Sequence, residues 1–145
     1  MNPRRRLAGW ARARDTRGQS LVEFALVSMI FFVTLFGTIE FGLAVFRYNM
    51  TSDLAQEGAR WASVHGSTSG SPASVDAVRA YVRSRALGLL PSGCTTCVSA
   101  VPAPSTLMPG SFVTVTVTMS YTPITGLLPS STMNMSSSAK MVVAR

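Results

Sequence analysis

Two carboxylates and two thiols are the residues of this sequence whose settings could make them do chemistry. Glu23 and Glu40 interrupt an otherwise apolar run over residues 21–46. A carboxylate in such a run costs about 2.5–3.5 kcal/mol at the centre of a bilayer and less near its surface. Each must therefore lie at a boundary or meet a partner. Cys94-Thr95-Thr96-Cys97 is the only cysteine pair. Zinc would need about four ligands, and no second CxxC or histidine pair completes them. A thioredoxin-like redox role would need a strand leading into a helix around the motif, and that setting is missing. Outside the reducing compartment the expected state of Cys94 and Cys97 is a disulfide. Closing so short a loop contributes about 2 kcal/mol or less. His65 stands alone beside Gly66 and is expected to be exposed. The serine-rich stretches offer hydroxyls without a His/Asp or Lys partner, which disfavours a serine hydrolase. The sequence has no phosphate loop, dinucleotide fingerprint or metal cluster, so no enzyme, cofactor or metal site is expected.

The elements that must carry these residues follow from charge and hydropathy. The chain has 145 residues, of which 47% are apolar and 13% charged, against roughly 25% charged in an average soluble chain. Its formal charge of +7 is concentrated at the start: residues 1–18 hold six arginines and Asp15, a net of +5, which leaves +2 for all the rest. That is a short basic leader, not a nucleic-acid-binding face. Residues 24–39 are uncharged, and extension past Glu40 to Phe46 gives a 23-residue helix. Such a helix spans about 34 Å against a hydrocarbon core of roughly 30 Å. Arginines precede the span and Arg47 alone follows it closely, so the N-terminus is expected in the cytoplasm and the C-terminus outside. The apolar run is longer than that of a secretory signal peptide and lacks an A-x-A-like exit, so cleavage after it is disfavoured.

No helix breaker separates Arg47 from Val64. The membrane helix is expected to continue to about Val64, with Leu54, Gly58 and Trp61 as the stripe that packs on the rest. Glu57 and Arg60 are spaced as an i, i+3 ion pair worth a few tenths of a kcal/mol; Arg60 is alternatively a partner contact. Residues 65–72 are loop by composition. A short amphipathic helix carrying Val75, Val78, Tyr81, Val82 and Arg85 follows, capped by Ser71 or Ser74 and ended by Gly88 and Pro91. Beyond Pro91 the period changes to two. Strands are predicted over residues 97–101, 111–119 and 136–143, with Pro109-Gly110 as a turn and Leu127-Leu128 anchoring a crossing loop at 122–129. The fold class is α+β, with a leader at 1–18, a long N-terminal membrane-spanning helix at 19–64 and a small exported domain at 65–145. That domain combines the short helix with a few-stranded antiparallel sheet. Its roughly 80 residues would be marginal alone.

The junction of leader and span reads Arg17-Gly18-Gln19-Ser20-Leu21-Val22-Glu23-Phe24. In one reading Glu23 sits at the cytoplasmic surface, pairs with Arg17 and favours the helix N-terminus through its dipole, and Gly18 is a loop residue. In the other, the chain is cut after Gly18. The cut removes five net positive charges and frees an amine on Gln19. Glu23 then lies one turn away and can neutralise that amine in its own or a neighbouring subunit. A charged pair of that kind sets the register of helices assembling into a filament.

A basic leader ending in glycine, then four residues, Glu and an aromatic residue at the head of an apolar helix, resembles type IV prepilins, the tight-adherence (Tad/Flp) branch most of all. Phe36-Gly37-Thr38-Ile39-Glu40-Phe41-Gly42 and Leu54-Ala55-Gln56-Glu57-Gly58-Ala59-Arg60 are similar to the TadE-like family. The resemblance covers residues 17–64. It implies a pseudopilin or minor pilin taking part in assembly of an adhesion pilus. It also implies processing between Gly18 and Gln19 by a membrane aspartic prepilin peptidase. The partners it implies are other pilin or pseudopilin subunits, the Tad assembly platform and membrane lipid in the bacterial inner membrane, with passage into the surface pilus after processing. Glu23, Phe24, Glu40 and Arg60 are the candidate residues of assembly and helix pairing. Phe24 replaces the tyrosine usual in major Flp pilins, and those pilins are far shorter, so an accessory subunit is implied. Glu40 either reaches the outer headgroups or meets a partner charge in a helix bundle. The alternative to a processed subunit is a single-pass membrane scaffold that keeps its leader and binds anionic lipid with it.

Overall fold

The computed structural model describes residues 16–90, 94–126 and 132–144, with side chains from Gly18 onward. Most of the basic leader, Pro91 and the Leu127-Leu128 anchor lie outside the described residues. The elements are α1 (Thr16–Ser63), α2 (Val75–Arg85), β1 (Val98–Val101), a 3-10 turn at Pro104–Thr106, β2 (Phe112–Tyr121) and β3 (Met133–Val142). The class is α+β, and α1 is long and apolar enough to cross a membrane.

Helix α1 runs for 48 residues without proline. Its hydroxyls do not interrupt it, because they bond back to the helix: Thr34 Oγ1 donates to the Ile30 carbonyl and Thr51 Oγ1 to that of Arg47, each at 2.8 Å. Such back-bonding satisfies a polar side chain where water is absent. The helix begins upstream of Gly18, so Gly18 is helical and not a loop residue. The described residues fall into two units, which divide between Phe36 and Gly37. In the first, α1 is uncovered from residue 21 onward. In the second, the C-terminal half of α1 supplies one wall of a hydrophobic core.

That core takes Leu54, Ala55, Ala59 and Ala62 from α1, Val78 and Val82 from α2, Val98 and Ala100 from β1, and Val113, Val115, Val117 and Met119 from β2. The Val/Thr alternation of β2 places every second residue inward, as its period predicts. Ser74, not Ser71, caps α2 by accepting the Ala77 N–H at 3.1 Å. Asp76 in the first turn and Arg83 and Arg85 in the last suit the helix dipole.

The sheet is antiparallel in the order β1-β2-β3. Val115 of β2 pairs with Ala100 on one side and Ala139 on the other, which fixes the register. β1 starts at Val98 rather than Cys97, because Cys97 belongs to the disulfide turn that precedes it. β3 starts at Met133, three residues before the position expected. It is an edge strand whose inward residues Met135, Ser137, Ala139 and Met141 are only half-buried, so its apolar alternation is weak. Gly110 turns the chain into β2 at φ +87°, a conformation open to glycine. The last described residues close the unit: Val143 is buried and donates to Ser111, and the Ala144 N–H donates to the Ser63 carbonyl, both at 2.8 Å.

Candidate functional site

Three stretches of α1 carry the candidate residues. At its start, Gly18, Gln19, Glu23 and Phe24 are all exposed. A Cβ at Gly18 would meet nothing within 4 Å. Gly18, Gln19, Val22, Glu23 and Leu26 line a shallow groove on one face. Glu23 lies four residues from Gln19, about 6 Å of helical rise. The Arg17 side chain, its expected partner, is outside the described side chains. Beyond this point Phe24, Leu26, Val27, Ile30, Phe31, Val33 and Leu35 point outward on all sides. A soluble monomer rarely exposes so continuous an apolar surface. Lipid or another apolar helix is its natural cover.

Glu40, in the second stretch, is 2% exposed. Among the described residues it forms no ion pair. Its Oε1 accepts the Ile124 N–H at 2.7 Å and the Thr125 N–H at 3.4 Å, and Oε2 accepts the Thr125 hydroxyl. The Tyr121 hydroxyl donates to the Glu40 carbonyl at 3.4 Å, and Arg47 sits 5.3 Å from the centroid of the Tyr121 ring. The carboxylate is thus satisfied by the loop that follows β2. Tyr121, Ile124 and Thr125 were not legible as partners, since they lie more than 80 residues away in sequence. The one signal was Thr122-Pro123-Ile124-Thr125-Gly126, a turn-forming stretch with exposed donors.

The third stretch contains Gly58-Ala59-Arg60. Gly58 is a packing residue: a Cβ there would lie 2.7 Å from Val82 Cγ2 and 3.1 Å from Val115 Cγ1. Only glycine lets α1 approach α2 and β2 this closely. Arg60 is exposed. The expected Glu57–Arg60 pair does not form. Glu57 instead accepts the Tyr81 hydroxyl of α2 at 3.0 Å, and the one ion pair among the described residues is Arg79–Asp76 at 2.7 Å. The cause is aromatic packing, because Tyr81 stacks on Trp61 at 5.0 Å and so holds its hydroxyl at Glu57. His65 also departs from expectation. It is half-buried and stacks on Trp61 with ring centroids 4.1 Å apart, its Nδ1 lying 2.8 Å from the Trp61 carbonyl oxygen.

Cys94 and Cys97 are joined by a disulfide, with Cα atoms 5.5 Å apart. Arg83 Nη2 donates to the Cys94 carbonyl, and Arg79 Nε donates to that of Val98 at 3.0 Å. Two arginines of α2 therefore fasten the turn before β1. Among the described residues no group of His, Cys, Asp and Glu could hold a metal ion.

The chain thus joins an apolar helix long enough to span a membrane to an α+β unit built around the C-terminal half of that helix. The family model for TadE-like protein matches residues 18–60, which identifies this helical segment as TadE-like. No curated protein and no solved structure matches the chain.

Proposed function

We propose that the protein is a pseudopilin or minor pilin-like subunit that takes part in assembly of a Tad/Flp-type adhesion pilus. In this reading it inserts with its N-terminus in the cytoplasm and is cut between Gly18 and Gln19 by a prepilin peptidase. Glu23 then pairs with the new amine of a neighbouring subunit, and the uncovered face around Phe24 exchanges lipid for other helices. Arg60, exposed near the end of α1, contacts another subunit or the assembly platform. The observation that carries the reading is that the TadE-like match begins at Gly18 and takes in an α1 surface with no cover of its own. Glycine at the scissile position also suits the chemistry. A helical peptide bond must unwind to enter a peptidase, and glycine holds helix about 1 kcal/mol less well than alanine.

A second reading is an unprocessed membrane scaffold whose arginine leader binds anionic lipid. It is favoured by one feature: α1 already begins at Thr16 and passes through the junction unbroken. The two readings separate at the N-terminus of the protein recovered from membrane and sheared-surface fractions. Processing yields chains that begin at Gln19 and disappear when Gly18 is replaced by a bulky residue. Recovery of the same species in the sheared fraction places it in the filament. An intact leader in cells with active peptidase overturns processing and leaves the scaffold.

A further inference from the structure

The loop over residues 122–126 is joined to the membrane helix by a carboxylate at a height where the helix is still apolar. Ile39, Phe41, Leu43, Val45 and Phe46 are exposed around Glu40, Phe41 at 70%. Arg47 and Tyr48 follow within about two turns. Arginine and tyrosine are the side chains that collect where hydrocarbon gives way to headgroups. Glu40 and its loop therefore sit just on the hydrocarbon side of that level, where irregular backbone is tolerated only if its polar groups are satisfied within the protein. That condition is met at the critical positions, since the N–H groups of Ile124 and Thr125 and the Thr125 hydroxyl all donate to Glu40. Ile124 itself is left 75% exposed. The carboxylate and the loop donors cancel each other's need for water, and an apolar side chain faces outward beside them.

We infer that this loop is a membrane-contact element: held on α1 by Glu40, it seats Ile124 in the outer part of the hydrocarbon layer at the level of Phe41. The occupant of the patch is lipid, because the patch continues the uncovered apolar surface of the helix that crosses the membrane. The inference rests on the membrane-anchor part of the proposed function and not on processing or on pilus assembly. It gives the C-terminal unit a second attachment to the bilayer besides the helix, which fixes its rotation and height over the surface.

The test uses the full chain in vesicles of phosphatidylcholine and phosphatidylglycerol. Single cysteines are introduced as Ile124→Cys, Phe31→Cys and Ser84→Cys and labelled with an environment-sensitive fluorophore, while the native pair stays oxidised. Phe31 reports the span, and Ser84, exposed on α2, reports water. Lipids carrying a nitroxide high or low on the acyl chain act as quenchers. At position 124 the emission is expected to be blue-shifted relative to position 84. The shallow nitroxide should quench it severalfold more strongly than the deep one. Glu40→Ala should bring position 124 to the behaviour of position 84 while position 31 stays quenched. Glu40→Gln, which keeps a carbonyl oxygen for the loop, should retain the quenching. If position 31 is quenched but position 124 behaves as position 84 does in the unsubstituted background, the loop inference is overturned and the anchor stands. The same holds if position 124 responds to protein density and not to nitroxide, which would make a second copy the occupant. If position 31 is not quenched, anchor and loop fall together.

Discussion

Between residues 21 and 39, α1 carries Leu, Val, Phe and Ile with their side chains uncovered, whereas between residues 51 and 62 it buries Thr51, Leu54, Ala55, Gly58, Ala59 and Ala62. One continuous helix thus leaves large apolar side chains outside in one stretch and, apart from Leu54, buries small ones in the other. The difference follows from what lies opposite. Lipid has no fixed shape, so for a stretch that faces it bulk and apolarity suffice. In the second, α2 and β2 stand at fixed positions. The helix can reach them only where side chains are small enough to let backbones approach, and interiors packed to crystal-like density tolerate no surplus volume.

The sharpest way to break this contrast is at Gly58. Gly58→Leu drives side-chain atoms into Val82 and Val115 and is expected to cost about 3 kcal/mol, read from urea unfolding of the full chain in detergent. At Gly42 a Cβ meets nothing within 4 Å, so Gly42→Leu should move the same midpoint by less than about 0.5 kcal/mol. Equal effects at the two glycines would mean that the close approach at Gly58 is not tight. Next in size is Tyr81→Phe, which removes the donor to Glu57 while leaving the stack on Trp61. A loss of about 1 kcal/mol is expected, and no change would reduce that hydrogen bond to a surface contact. The smallest effect belongs to the uncovered half. Phe31→Ala should leave unfolding of the C-terminal unit unchanged within about 0.5 kcal/mol, while making membrane insertion less favourable by about 0.3 kcal/mol. A destabilised C-terminal unit would show that the two stretches of α1 are energetically coupled.

The parts of the fold that were legible in the sequence are those set by local chemistry. The run of apolar residues gave α1, Ser74 ahead of an amphipathic repeat gave α2, and the Val/Thr alternation gave β2. β3 was harder to delimit, because an edge strand with a half-covered face imposes little pattern on its residues. The features that escaped are those that depend on distant neighbours. The donors to Glu40 come from the loop beyond β2, and nothing near Glu40 announces them. Tyr81 draws Glu57 away from Arg60 although the local spacing favours the pair, and His65 is sheltered by an aromatic ring one helical turn earlier. Gly58 was visible as part of a family-like motif, but the reason for it lies in Val82 and Val115. Glu23 and Gly18 are the reverse case: their sequence setting is informative, and the fold adds only that both are accessible on the helix.

The bond between the Ala144 N–H and the Ser63 carbonyl has a bearing on how the unit is made. It joins the end of α1 to the far end of β3, and the buried Val143 completes the core beside it. A contact of such long sequence separation must wait for loop closure across the whole unit, which slows folding. Nascent chains therefore carry an open-sided core until residues 143 and 144 have been synthesised. Until then the place that Val143 fills in the core stands open, and the end of α1 lacks its bond from Ala144.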